Sequence, residues 1–473
     1  MQTYDGSKIT SPEQLAGYSQ AAGDRTILIE GGNFSAWDFT GVKLSNICFV
    51  ESDLSQSVWT RMTASGLGFI KSNVEAANMS GVKMQDILIR SSVFARVDAT
   101  GADWTSGKLD GGWDGDVEGL HIDGADLTGF KFDCGITVSD GCPITRNGIS
   151  ARGAKLAFAD ISSFGFYDAD MTGAILNQTV ISPRQLIDFK DASNMGVVFL
   201  SGGDKKVMVL PETWAALMTS ALGAKADDVP SFDCAKAGTK IEKEICEPYN
   251  SSMRQSDRQM GALYKAVRKK GKGVLASQKS WLKQRNACAA EEYPADCLYQ
   301  AYDRRVGELI GMLGEPAWLK PAEEALFVEE VLPLSDDIIQ SQSYAQLVPI
   351  LVAASRSSVL VKRGADGSIE ARGDAVGANA HLCSISVKGL RFDRATGWYS
   401  LSEAKNGGIR NFPVLRYYDG RIEIYRGGKL LGDDDSPMMD YVSCGARASF
   451  PEMIRMPVSL ETLELYRRDT EDY

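Results

Sequence analysis

The chain has 473 residues, enough for two to four domains with cores of their own. Its 44% hydrophobic and 24% charged content is that of a globular protein, and no run of 18 apolar residues exists to form a spanning helix. The net charge is −11 and there are two histidines, His121 and His381, which leaves little material for histidine-based catalysis.

The first residues, Met1-Gln2-Thr3-Tyr4-Asp5, lack the cationic and apolar regions of a secretory signal. The chain is therefore expected either to stay in the cytosol or to be a mature form with an added initiator Met. From Phe34 a period of five begins. Sixteen pentapeptides place Phe34, Phe39, Leu44, Phe49, Leu54, Trp59, Ala64, Phe69, Val74, Met79, Met84, Ile89, Phe94, Ala99, Trp104 and Leu109 in one phase. Neither the helical period of 3.6 nor the strand period of 2 sustains this. A coil with flat sides does, one pentapeptide to a side and four sides to a turn, with small residues such as Ser80, Gly81, Thr100 and Gly101 at the corners. The phase is lost in Gly-Gly-Trp-Asp-Gly-Asp and resumes at Val117, Ile122, Leu127 and Phe132. A longer excursion holds Cys134, Cys142 and Pro143, and a last block runs through Leu156, Ile161, Phe166, Met171, Leu176 and Ile181. These 26 sides make roughly six to seven coils, a rod of about 30 Å at the strand spacing.

The units Ala125-Asp126-Leu127, Ala159-Asp160-Ile161 and Ala169-Asp170-Met171 resemble the A-(D/N)-L-x-x unit of the pentapeptide-repeat family. That resemblance implies a right-handed quadrilateral β-helix, here over residues 1–200 with an amino-terminal helical cap. Asp110, Asp114, Asp116 and Glu118 are read as a solvated acidic insertion.

Residues 201–230, rich in Gly, Ala and Asp and closed by Pro230, read as a linker. A helical pattern follows over 231–315. It contains Ser231-Phe232-Asp233-Cys234-Ala235-Lys236-Ala237, then Glu242, Ile245 and Cys246, then Gln278, Trp281, Arg285, Asn286 and Cys288, then Cys297, Tyr302, Arg305 and Leu309. Trp281, Arg285 and Cys288 share one helical face. Lys270 and Lys272 close a first helix, and Pro294 separates a second from a third. This run is similar to the LprI-type lysozyme-inhibitor family over about 80 residues. The resemblance implies an inhibitory, partner-binding role in which Trp281, Arg285 and Asn286 are the candidate contacts; the competing reading makes Trp281 core and Arg285 part of a buried hydrogen-bond network.

Residues 316–356 read as an amphipathic helix and linker with Glu323, Glu324, Glu329 and Glu330 solvated, and 357–473 as a small β-rich domain. Turns are expected at Gly364, Asp419-Gly420 and Gly427-Gly428. The stretch from His381 and Cys383 to Cys444-Gly445 and Phe450 is similar to a periplasmic β-domain of the H-x-C…C-G-x-R-x-x-F type, although members commonly carry further cysteines that this chain lacks.

Nine cysteines remain to be placed. Their spacings do not suit zinc, and no cofactor or metal is expected. Cys134 with Cys142, Cys234 with Cys246, Cys288 with Cys297, and Cys383 with Cys444 are the disulfide candidates, with Cys48 left as a free thiol in the solenoid wall. Four cysteines in the helical part allow three connectivities; the local one is favoured because Pro294 folds the chain back between Cys288 and Cys297. Disulfides imply an oxidising compartment, so the protein is expected to be periplasmic or secreted. The leading function is a non-enzymatic protein-binding protein, a lysozyme inhibitor or a cell-envelope scaffold. Residues 1–200 hold 24 acids against 15 bases and would steer a cationic partner, whereas residues 231–315 hold 11 acids against 15 bases. The alternatives are a DNA mimic acting on a topoisomerase, which the paired cysteines oppose, and an exported effector that binds a partner. A nucleic-acid partner is not favoured. The oligomeric state stays open, a dimer through the end of the β-helix among its options.

Overall fold

The structure is a computed structural model that describes residues 2–110, 116–133, 148–166, 169–192, 196–202, 205–226, 229–247, 250–271, 273–332, 344–355, 357–376, 381–405, 408–425, 441–445, 448–456, 458 and 463–464. It divides into two compact units, Met1–Ala221 with Leu334–Ala354, and Leu222–Pro333 with Ser355–Tyr473.

The first unit is a four-sided β-solenoid. Four parallel ladders climb it, each joining residues one coil apart: Asn33–Asp53–Asn73–Val93, Asp38–Val58–Asn78–Asp98, Lys43–Thr63–Lys83–Asp103 and Cys48–Gly68–Leu88–Lys108. The step is 20 residues, four sides of five. It lengthens to 23 where Val93 meets Asp116 and to 29 where His121 meets Ser150, so both insertions leave the ladders at a corner and rejoin them in register. All 26 positions of the five-residue phase are at most 5% exposed. Their rings form a column: Phe49 stacks on Phe69 at 5.7 Å, and edge contacts continue from Phe69 to Phe94 at 5.5 Å and from Phe94 to Trp104 at 6.4 Å.

Corner chemistry departs from expectation. A left-handed residue recurs every fifth position, and besides Gly41, Gly66, Gly81 and Gly101 it is Ala36, Asn46, Glu51, Gln56, Arg61, Lys71, Ala76, Asp86, Ser91, Arg96 and Ser106. Small residues are not required, because only the backbone must turn. The cost, on the order of 1 kcal/mol for each residue with a Cβ, is offset by ladder bonds such as Gln56 N to Glu75 O at 2.8 Å. The repeat's Asp/Asn has a separate local role. Its side chain accepts the amide two residues on, as in Asp38 to Thr40 at 2.8 Å, Asn78 to Ser80 at 3.0 Å and Asp126 to Thr128 at 3.1 Å, which fastens each turn. Ser52, Ser72 and Ser92 are buried in line, each hydroxyl accepting an amide from the coil before it: Gly32, Ser52 and Ser72.

Helix α1, Pro12–Ala22, precedes the first coil, with Ser11 as its N-cap. After the last coil, Val198–Gly202 pairs in parallel with Thr179–Ile181 and antiparallel with Lys205–Val209. Helix α2, Pro211–Ala226, follows. The stretch read as a linker at 201–230 is thus mainly strand and helix.

The second unit begins with the helical module: α3 Lys240–Cys246, α4 Ser251–Lys270, α5 Val274–Ala287 and α6 Pro294–Leu313. Thr239 and Glu242 form a reciprocal capping box on α3. Cys234 is joined to Cys246 and Cys288 to Cys297.

A closed β-barrel follows. Its strands are β1 Glu324–Glu329, β2 Ser357–Arg363, β3 Ile369–Val376, β4 Leu382–Asp393, β5 Trp398–Lys405, β6 Gly408–Tyr418, β7 Arg421–Ile424, β8 Val442–Cys444 and β9 Met453–Met456. The order is β3-β2-β1-β9-β7-β6-β5-β4, closed by β4 on β3, with β8 added to β4. Residues 316–356 therefore do not form a helical linker. β1 is a central strand, and Trp318 and Leu319 lie in the barrel core. The helix in that stretch, α7 Tyr344–Ala354, belongs to the first unit, where it packs on Val198–Gly202 so closely that a Cβ on Gly202 would stand 2.4 Å from the Ile350 carbonyl oxygen. Cys383 and Cys444 are bonded as directly opposed residues of β4 and β8. Asp419 and Gly420 both have positive φ in the tight turn between β6 and β7.

Candidate functional site

Of the residues that carry the LprI-like pattern, Ile245, Gln278, Trp281, Arg285, Cys288, Tyr302, Arg305 and Leu309 lie in the interior of the helical module, whereas Ser231 and residues 233–236 are exposed. Trp281, 5% exposed, donates its indole N–H to the Ala301 carbonyl at 2.9 Å and meets the Tyr302 ring edge-on at 5.2 Å. Arg285, 2% exposed, donates to the Tyr302 hydroxyl at 3.2 Å and to Asn286 Oδ1 at 2.9 and 3.1 Å, and lies 3.5 Å from Glu242. Tyr302 donates to Asp257 at 2.7 Å. Burial, and then the neighbouring Asp257 charge, push its phenol above the ordinary tyrosine range, so it stays a donor. Gln278 accepts from Arg305 at 2.9 Å. Trp281 and Arg285 thus present almost no side-chain surface, and half-buried Asn286 is engaged by Arg285.

Sequence spacing did not single out the surface beside this network. A cleft of about 1300 Å³ lies between α4 and α6 on one wall and the barrel on the other. Gly307 and Gly311 set the approach of these walls, since a Cβ on either would come within 2.1 Å of the carbonyl oxygens of Thr396 and Arg394. Arg416, on β6, is buried over the Trp398 ring at 4.4 Å and pairs with Asp303 at 2.8 Å and Glu423 at 2.6 Å. Arg421 bridges Glu330 and Glu452, each at 3.1 Å. Burial raises the carboxyls of Asp303 and Glu452 above the usual range. The geometry suits electrostatic recognition. No group of three or more metal-ligating side chains occurs among the described residues.

The remaining candidates are structural or lie elsewhere. His121 is an exposed ladder residue of the solenoid, and His381 lies against Gly445 next to the Cys383–Cys444 bridge. Cys48 is buried and free, its thiol pushed up by burial. Cys134, Cys142 and Asp114 lie outside the described residues. Asp110 pairs with Arg90 at 3.3 Å, and Asp116 accepts the Glu118 amide at 2.9 Å. Other solenoid carboxylates are likewise interleaved with bases: Asp126 with Lys155, Asp170 with Arg152, and Asp160 with Lys206.

No family profile matches the chain. Lipoprotein LprI of Mycobacterium tuberculosis and that of Mycobacterium bovis are 26% identical to it over 121 residues, 25% of this chain and 57% of theirs. The chain thus spans just over half the length of the curated relatives it matches. The chain couples pentapeptide repeats to an LprI-like region. Among solved structures it is similar to QnrB1, a plasmid-mediated fluoroquinolone resistance protein, at 14% identity over 47% of this chain and 95% of that one, with a TM-score of 0.27. It is also similar to HetL, a pentapeptide-repeat protein involved in heterocyst differentiation regulation in Nostoc, at 16% identity over 36% of this chain and 97% of that one, with a TM-score of 0.18. The solenoid assignment itself rests on the four ladders.

Proposed function

We propose that the protein is a non-enzymatic binding protein of an oxidising, extracytoplasmic compartment. Its disulfide-stapled helical module engages a lysozyme or another envelope protein, and the solenoid, wound right-handed as its repeats imply, serves as a rigid display surface. The observation that carries this reading is the helical module itself. From Ile245 to Leu309 most of the residues of the LprI-type pattern are buried in one interior, stapled by Cys234–Cys246 and Cys288–Cys297, and this supports reading the module as a preorganised scaffold. The compartment is supported by three disulfides and by the name lipoprotein borne by the LprI relatives. No helix of the described residues is long and apolar enough to cross a membrane.

Calorimetric titration of the oxidised full chain against lysozymes of several classes tests the reading. Saturable binding to at least one class is expected. Heats indistinguishable from dilution with every class would remove the lysozyme reading.

A further inference from the structure

We infer that the cleft between the helical module and the barrel is the contact surface, and that it receives a Lys- or Arg-bearing segment of a basic protein. This rests on the protein-binding reading above and adds the place and the chemistry of the contact. Eight carboxylates and two guanidiniums line the cleft. Both guanidiniums are already committed, Arg416 to Asp303 and Glu423, and Arg421 to Glu330 and Glu452. Glu291, Glu292 and Asp296 at the rim are exposed and take part in no ion pair among the described residues. Asp296 has a local role in the first turn of α6, where it faces the positive end of the helix. Glu291 and Glu292 precede the helix and have no such role.

Two further features point to a ligand rather than to a solvated acidic face. Tyr293 and Tyr299 stand among these carboxylates with 65% and 44% of their surfaces exposed, an arrangement that offers π faces to a cation beside the charges that attract it. Deeper in the cleft, the side-chain amide nitrogen of Gln259 is buried and donates to no described residue. Gln259 is itself half-buried, and a turn of its amide into the cleft would let it donate to the carbonyl of an entering peptide. The helical module carries a net positive charge, so the attraction is local to this rim and not a property of the module as a whole.

The test uses the oxidised full chain and an (Arg-Gly)5 peptide at low salt, followed by calorimetry. Two triple variants remove the same charge: Glu291→Gln, Glu292→Gln and Asp296→Asn at the rim, and Asp53→Asn, Asp98→Asn and Asp103→Asn on the solenoid. The rim triple is expected to weaken binding at least tenfold and the solenoid triple less than twofold, with Tyr293→Ala weakening it about fivefold. Equal losses in both triples, or no loss at the rim, overturn the assignment. Displacement of the peptide by chitotetraose would give the cleft to a glycan and also overturn it. Parallel titrations with lysozyme keep the two readings apart. Peptide binding at the rim without lysozyme binding leaves the cleft and removes the lysozyme reading. Lysozyme binding that survives the rim triple unchanged removes the cleft and leaves that reading.

Discussion

The Tyr302 hydroxyl donates to Asp257 Oδ1 at 2.7 Å and accepts from Arg285 at 3.2 Å, so one phenol couples two buried charges. The second oxygen of Asp257 accepts both the amide and the hydroxyl of Ser231, at 2.7 and 2.5 Å, which pins the start of the module to α4. Asp257→Ala would leave Arg285 without its deepest counter-charge and is expected to cost about 3–5 kcal/mol. Tyr302→Phe loses the hydroxyl alone and should cost about 1–3 kcal/mol. Urea unfolding of the two variants checks the ranking, and a loss below about 1 kcal/mol in both would mean that the network does not hold the module together.

Trp281 separates a packing role from a contact role. Its indole is enclosed by Tyr302 and the Ala301 carbonyl. Trp281→Ala should therefore lower stability by about 3–5 kcal/mol, while the fraction still folded binds a partner as the parent does. Intact stability together with a binding loss above about 1 kcal/mol would make Trp281 an anchor after all. Circular dichroism melts paired with calorimetric titration give both numbers.

Much of the solenoid was legible because one chemical rule repeats: a large apolar residue every fifth position, from Phe34 to Ile181. The corners were less so. Left-handed φ at Glu51, Arg61 or Lys71 is imposed by ladders on both sides, and side-chain type does not announce it. β1 was hidden for a different reason. Ala325 and Phe327 enter the barrel core while Leu326 and Val328 are buried on the other face, so the strand shows no alternation, and its flanking glutamates read as helix. The cleft was illegible because α4, α6 and the barrel strands that build it lie far apart in sequence.

Gln56 tests the corner rule. It is exposed, with φ of 57°, and its side chain is not part of the core. Gln56→Gly should be neutral to within about 1 kcal/mol, since relief of the left-handed strain offsets the freer unfolded chain. Gln56→Val should cost about 1–2 kcal/mol, because a β-branched residue resists positive φ. Phe94→Asp, which places a charge in the ring column, should cost about 4 kcal/mol or more. Thermal melts that shift equally in all three would contradict the four-sided coil.

Acid should loosen the last coils. The Thr172 side chain and amide, then the Arg152 guanidinium, hold the Asp170 carboxyl down to about 2. A depressed carboxyl contributes stability that is complete above its unfolded value near 4 and is lost as pH falls toward 2. Asp170→Asn should lower the melting temperature at pH 7 toward its acid value and so flatten the fall between pH 4 and pH 2. An unchanged acid limb would mean that Asp170 is not linked to unfolding.

Under the proposed function, the stapled helical module of the oxidised chain engages a lysozyme or another envelope protein, and restraint of a lysozyme is its sharpest consequence. The most direct measurement is the lytic rate of a lysozyme on bacterial cell walls as the oxidised full chain is added, with the reduced and alkylated chain as the comparison. The rate is expected to fall to saturation near equimolar protein and to recover when the disulfides are opened. A lytic rate that the oxidised chain leaves unchanged, for every lysozyme class at concentrations well above the enzyme, would contradict it.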